Sequence, residues 1–342
     1  MYIAGMGIVF NRGRGLANLE EALTKGWVKP EIFYRVPAEA ITDKQLLKEA
    51  RRADNFTKMA TLAAFDALLD SGIPESYRQK VGIILATAFG PHVTTFNFLD
   101  DILTYGDAGV SPTIFSHSVH NAAASYIALT LQTRGPTLTL TQFANSFHQA
   151  LILAESWLNE KRCDYILVGS ADQLGKVMEY ICSQKLKLAP DGKIKPFNLS
   201  KHPESIPGEG SAFFLVTNDL KYNKYCQISA LRQNTQDDDL YILDSDGMCG
   251  NEESYSRIAE NKTRLTSYAP IFGSMLTLSS FSCISGALML KNQKIYASPI
   301  KDNPHNLNIL TKNEAFSVHK IKCLRYNCYQ AELVIQLKRG QR

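Results

Sequence analysis

Short apolar runs alternate along the chain with longer stretches in which apolar residues recur at the helical period. The runs predict strands at Tyr2–Phe10 and at residues 81–86, 137–143, 165–169 and 211–216, and the periodic stretches predict helices over 52–71, 118–133 and 145–161. In the helix over 52–71, Met59, Leu62, Ala63, Leu68 and Leu69 fall near one stripe, and Gly72 followed by Pro74 ends it. This βαβ series predicts a mostly parallel sheet covered on both faces. After a loop at 188–210 rich in Pro, Lys and polar residues, the order begins again. Strands are predicted at 226–231 and 241–243, helices at 252–261 and 279–290, and final strands at Lys320–Tyr326 and Glu332–Lys338. The expectation is a pseudo-duplicated α/β domain with halves at 1–220 and 221–342, the second the shorter.

Composition agrees with that size. The chain has 342 residues, 45% hydrophobic and 20% charged, which excludes disorder and fibrous repeats and exceeds what one simple core of about 250–300 residues organises. Seven cysteines form no CxxC or Cys/His cluster, so neither a disulfide framework nor a zinc site is expected, and a reducing cytoplasm fits best. No basic leader precedes the first apolar run, and no stretch approaches the roughly 18 apolar residues of a membrane span. The net charge of +4 is uneven: from Lys291 to Arg342 the balance is +7, and the rest is −3. Such a block reads as a solvated face or as a dock for an acidic partner. It lacks the pattern of a nucleic-acid module.

Three stretches are more specific: RRADNFTKMA at 51–60, RGPTLTLTQFANSFH at 134–148, and PFNLSKHPESIPGEGSAFFLV at 196–216. Together they resemble the β-ketoacyl synthase family of the thiolase fold, with its RR-x-D-x-F opening helix, its RGP strand leading to the nucleophile, and its PFD…GEG segment. A condensing enzyme needs a Cys at a helix start, where the helix dipole favours the thiolate and backbone N–H groups form an oxyanion hole. The resemblance puts that position at Ala144, and a methyl group cannot carry an acyl chain. It puts the first enolate-stabilising His at Asp246, where a carboxylate would repel the enolate. The Lys and second His fall on Gly273 and Leu278, and the glycine gate falls over 325–328. Ser146 and His148 lie about 200° apart around a helix and cannot act as a nucleophile–base pair. His117 and His120 lack a third ligand, and no metal or cofactor is expected.

Family members without the nucleophile are chain-length factors, which pair with an intact ketosynthase and shape the tunnel for the acyl chain carried on the phosphopantetheine of an acyl carrier protein. The resemblance therefore implies a non-catalytic subunit in polyketide or fatty acid synthesis, with Thr95, Phe96, Phe98, Leu99, Ile114 and Phe115 as tunnel candidates. It also implies a dimer-interface strand at Thr137, Leu138, Thr139, Leu140, Thr141, Gln142 and Phe143, whose alternation suits a sheet edge. Two alternatives stand beside this reading: an acyl-thioester-processing enzyme of altered mechanism, and a homodimeric binder of acyl groups or carrier protein.

Overall fold

The computed structural model describes residues 1–200, 202–231, 239–248, 263–315, 317–326 and 331–340. The predicted helix at 252–261 lies outside them. Ten principal strands form one sheet. Five come from the first half: β1 (Tyr2–Phe10), β2 (Gly82–Thr87), β3 (Thr137–Thr141), β4 (Tyr165–Asp172) and β5 (Gly210–Thr217). Five come from the second: β6 (Gln227–Leu231), β7 (Leu240–Leu243), β8 (Arg264–Thr266), β9 (Lys320–Tyr326) and β10 (Glu332–Lys338).

Their spatial order is β8-β7-β9-β10-β6-β1-β5-β4-β2-β3. Read outward from the centre, each half runs first, fifth, fourth, second, third strand. This shared topology is the duplication expected from the repeated order of elements. The two halves meet at a narrow seam, where Tyr2 pairs antiparallel with Gln227 and the Ile3 N–H donates to the Cys226 carbonyl at 2.9 Å.

The sheet is mixed rather than mostly parallel. β2 runs parallel to β3 and β4, and β7 parallel to β8 and β9, but β5 and β10 run antiparallel to both neighbours. For β9 and β10 the cause is chain length, because only five residues separate them and a parallel crossover needs a dozen or more.

The helices used below are α1 (Leu16–Lys25), α2 (Asn55–Ser71), α3 (His92–Tyr105), α4 (Pro112–His117), α5 (Ala122–Leu131), α6 (Ser146–Asn159), α7 (Lys176–Lys185) and α8 (Leu278–Asn292). The helix expected over 118–133 is thus the shorter α5, which ends where Gln132 turns to a φ of 55°. α2 and α5 cover the outer face of the first half. Asp54 caps α2 by accepting the Thr57 N–H at 2.9 Å and the Thr94 hydroxyl at 2.6 Å, which fixes α3 to the same point. Of the two adjacent leucines expected on the buried stripe, Leu68 is buried and Leu69 is 59% exposed. α2 also lies unusually close to β1, since a Cβ at Gly7 would sit 2.8 Å from the Asp66 Cβ and closer still to the Ala63 carbonyl.

α6 and α8 fill the space between the halves. Residues 278–290 of α8 are all buried, as a helix enclosed on every side must be. Its serines bond internally: Ser280 meets Ser170 at 2.6 Å and Ser285 donates to the Phe281 carbonyl at 2.8 Å. On the outer face of the second half, Tyr241, Leu243 and Leu324 pack with Phe197, Leu199 and Leu307 from loops.

Two residues of the basic C-terminal block, Lys322 and Arg325 on β9, are buried. That block is therefore not a single solvated or docking face. Among the described residues five cysteines are free and buried. Among the described residues no helix is long and apolar enough to cross a membrane, and no cluster of three or more His, Cys, Asp or Glu is placed to hold a metal.

Candidate functional site

The carboxyl ends of β2, β4 and β7 converge where the halves face each other, and there the chain builds a buried polar core. Asp172, the last residue of β4, accepts the Thr87 hydroxyl at 2.8 Å and the N–H groups of Ala88 and Phe89 at 3.0 and 3.3 Å on one oxygen; the other accepts the Thr277 hydroxyl at 2.8 Å. Ser146, opening α6, faces the Thr87 and Phe143 carbonyls at 2.8 Å each and accepts the Gln142 N–H at 2.7 Å. From the second half, Asp246 accepts the N–H groups of Met248 and Met275 at 3.1 and 3.0 Å. The Ser274 hydroxyl bonds to its carbonyl, and Arg325 Nη2 stands 3.2 Å from its Oδ2. Asp244 accepts from Ser279 at 2.6 Å and from Ser282. A chain of polar contacts therefore runs from the start of α6 to β9.

Burial sets the charge state of these carboxyls. Loss of water pushes Asp172 up to about 6 against its four donors. It also pushes Asp244 up to about 6, with Arg325 and two serines opposing, and raises Asp246, again opposed by Arg325.

The four positions singled out in the sequence all border this core, and none carries a reactive group toward open space. Ala144 is buried in a single turn between Phe143, whose φ is 48°, and α6. Asp246 is held in its ion pair. Gly273 has a φ of 90°, and a Cβ there would come 2.9 Å from the Gly208 Cα and the Tyr34 Cβ, so no side chain fits. Leu278 heads α8 and is fully buried. The adjoining cavity, lined by Asp172, Ser274 and Met275 among others, has about 30 Å³. That is room for a water or two. At the expected gate, Arg325 and Tyr326 are buried, and residues 327 and 328 lie outside the described residues.

Residues 35–221 match the β-ketoacyl synthase N-terminal domain family. The chain belongs to the β-ketoacyl synthase family. It is 26% identical over 174 residues to 3-oxoacyl-[acyl-carrier-protein] synthase 2 of Coxiella burnetii, covering 45% of this chain and 42% of that protein. The chain spans about half the length of the curated relatives it matches, 42 to 57%. Among solved structures it is similar to the ishigamide ketosynthase/chain length factor, with a TM-score of 0.84, 15% identity and 99% of each chain covered. A β-ketoacyl synthase from Burkholderia phymatum superposes with a TM-score of 0.80 at 15% identity, again over 99% of each chain. A type II polyketide synthase acyl-carrier protein complex with its ketosynthase bound to the hexaketide gives 0.79 at 13%, with 99% of each chain covered. This β-ketoacyl synthase family member has the thiolase-like fold of those neighbours.

The remaining predicted positions gather on one side of this β-ketoacyl synthase fold. Thr95, Phe96, Phe98 and Leu99 lie on α3. The Thr95 hydroxyl is within 3.1 Å of the Pro91 and Ser118 carbonyls, half-buried Phe96 meets His92 at 6.4 Å between ring centres, and Leu99 is exposed. Ile114 and Phe115 lie on α4, and the Phe115 ring is 5.4 Å from that of Phe98. β3 is the terminal strand of the sheet. Thr137, Leu138 and Thr141 are exposed along it and Thr139 and Leu140 are half-buried; the strand expected to run to residue 143 ends at Thr141, and Gln142 and Phe143 are exposed in the turn that follows.

Two histidines considered in the sequence make contacts within the fold. His148 is buried with Nε2 3.3 Å from the Leu231 carbonyl, and burial lowers its pKa. His117 meets the Tyr126 hydroxyl at 2.6 Å. Sequence reasoning placed Arg325 at the expected gate rather than in this core, and missed Asp172, Thr277 and Glu209, the last of which bridges two loops by accepting the N–H groups of Val36 and Leu174 at 3.0 and 2.9 Å. A carboxylate ending an otherwise apolar strand was the available signal for Asp172.

Proposed function

We propose that this chain is a non-catalytic, chain-length-factor-like subunit that pairs with an intact β-ketoacyl synthase and shapes the acyl tunnel in carrier-protein-dependent polyketide or fatty acid synthesis. The observation that carries this reading is Ala144, a buried methyl at the helix start where the family resemblance expects the nucleophile. The closed backbone at Gly273 and the ion-paired Asp246 support it, because a condensing site without nucleophile, His or Lys loses several factors of about 10² or more. Two solved neighbours, a ketosynthase/chain length factor and a ketosynthase bound to its carrier protein, supply the class of partners. In this reading the exposed edge strand β3 pairs across the subunit interface. Thr95, Phe96, Phe98, Leu99, Ile114 and Phe115 contribute to the tunnel for the acyl chain on the carrier protein's phosphopantetheine.

Co-expression with a complete β-ketoacyl synthase, beginning with any encoded beside this chain, tests this. A stable 1:1 complex that elongates malonyl carrier protein, with neither activity nor acyl transfer by this chain alone, is the expected result. Turnover of acyl thioesters by the isolated chain, or failure to bind any intact synthase, overturns it.

A further inference from the structure

A cleft of about 570 Å³ opens between the end of β1, residues 28–37 and Glu179 of α7, a volume within the range of about 300–1,000 Å³ common to small-molecule sites. Tyr34 forms the wall between this cleft and the buried polar core. Its ring packs on Gly273, and its hydroxyl donates to the Pro270 carbonyl at 2.7 Å. The backbone behind the cleft is fixed. The Tyr34 N–H donates to the Pro207 carbonyl at 3.0 Å, the Glu209 N–H donates to the Tyr34 carbonyl at 3.0 Å, and the Glu209 carboxylate accepts the Val36 N–H at 3.0 Å.

The charges lining the cleft do not cancel. Arg35 pairs with Glu179, which leaves Arg12 and Lys29 against Glu31. Arg12 is half-buried and donates from Nη2 to the Gly26 carbonyl at 2.7 Å. Among the described residues no carboxylate lies within ion-pair distance of it; Glu21 acts on it only from farther off and is itself paired with Lys25. Beside it, Asn11 Oδ1 is buried with no hydrogen-bond partner among the described residues, an arrangement that costs stability unless a donor is supplied. Val28 and Ile32 also line the cleft and remain 55% and 71% exposed. A half-buried guanidinium outside any ion pair among the described residues, an orphan acceptor and uncovered apolar side chains are three deficits that one ligand could meet together.

We infer that this cleft binds a small anionic amphiphile. A carboxylate or phosphate head pairs with Arg12, where a guanidinium holds two oxygens at once; a hydroxyl or amide of the head region donates to Asn11; and an apolar chain lies on Val28 and Ile32. A free medium-chain acid and a phosphorylated chain share this chemistry.

Calorimetric titration of the full chain with decanoate, decyl phosphate and decanol tests the assignment. Saturable one-to-one binding of at least one anion, at least tenfold tighter than decanol, is expected, and the tighter of the two heads identifies the source. Arg12→Gln should weaken the anion at least tenfold and leave decanol unchanged, Arg12→Lys, which keeps the charge but not the two-pronged contact, should weaken it less than Arg12→Gln, and Ile32→Asn should weaken all three probes. Unfolding midpoints of the variants separate lost binding from lost folding. No saturable binding of either anion, or equal anion affinity in wild type and a folded Arg12→Gln variant, overturns the proposal.

Discussion

Arg325 and Asp246 form an ion pair inside the protein, with Nη2 3.2 Å from Oδ2 and each side chain 2% exposed. It ties β9 to the turn after β7 at the position where the family resemblance expects a catalytic His. Removing one partner strands the other charge away from water. Asp246→Ala is therefore expected to destabilise the fold by about 3–5 kcal/mol, and the apolar double replacement Asp246→Leu with Arg325→Met by much less. Chemical denaturation of the single and double variants measures both. Equal loss in the single and double variants would show that the pair is not the source.

Asp172 gives the protein an unusual dependence on pH. Burial raises its folded-state pKa from an ordinary 3.8 to about 6, so between about pH 4 and 6 the folded state holds more protons than the unfolded one. Stability contributed by the protonated carboxyl is then complete below about pH 4 and is lost as pH rises through about 6, by on the order of 3 kcal/mol. The unfolding free energy of wild type minus that of Asp172→Asn, followed from pH 4 to 7.5, should fall along that window. A flat or rising difference would show that the four donors outweigh burial.

The exposed edge of the sheet supplies a test of partner binding. Leu138 and Phe143 are 40% and 62% exposed, so Leu138→Asp and Phe143→Asp should change the stability of the isolated chain by less than about 0.5 kcal/mol. If this edge forms the proposed interface with a synthase, each substitution places a carboxylate in it, and affinity should fall by about 30-fold or more. Native mass and binding titration report the two effects separately. Undiminished affinity with both substitutions combined removes β3 from the interface.

What could be read from the sequence follows the range of the forces involved. Tyr2–Phe10, Lys320–Tyr326 and Glu332–Lys338 were each legible to the residue, because a strand's apolar content is a local property. Strand direction was not, since the antiparallel placing of β5 between β1 and β4 depends on partners far away in sequence. Nothing in the sequence around Gly7 marks the close approach of α2 that leaves no room for a Cβ there. Arg325 was counted with a basic tail, because nothing local marks a charge that will be buried. At the site, Ala144 and Gly273 were visible as positions that a family resemblance expects to be filled. The polar network that occupies the space, Asp172 with Thr87 and Thr277, joins segments from both halves and has no one-dimensional signature.

The contact between Phe98 and Phe115, 5.4 Å apart, should set product length if these rings border the acyl tunnel. Phe98→Ala removes a ring from a wall that resists excess chain by roughly 1–3 kcal/mol. The complex with the synthase should then shift its products toward at least one additional extension unit. Mass spectrometry of the products, at matched complex concentration, reads the shift; an unchanged distribution for both Phe98→Ala and Phe115→Ala assigns the pair to packing alone.

Ala144→Cys asks whether the missing thiol is the only deficiency. The new side chain would sit at the start of α6, where the helix N-terminus favours a thiolate, and the segment joining β3 to α6 would otherwise be unchanged. Condensation needs more than a nucleophile, because the enolate formed from a malonyl group must be stabilised. Asp246 places a carboxyl group rather than an imidazole near that region, while Gly273 has no space for a lysine. The variant is therefore expected to release no carbon dioxide from malonyl carrier protein and to form no condensed product above the wild-type background, even where mass spectrometry finds an acyl group on the thiol. Condensation by Ala144→Cys alone would mean that the remaining groups complete an active site, so that Ala144 is the sole deficiency and Asp246 and Gly273 do not add to it.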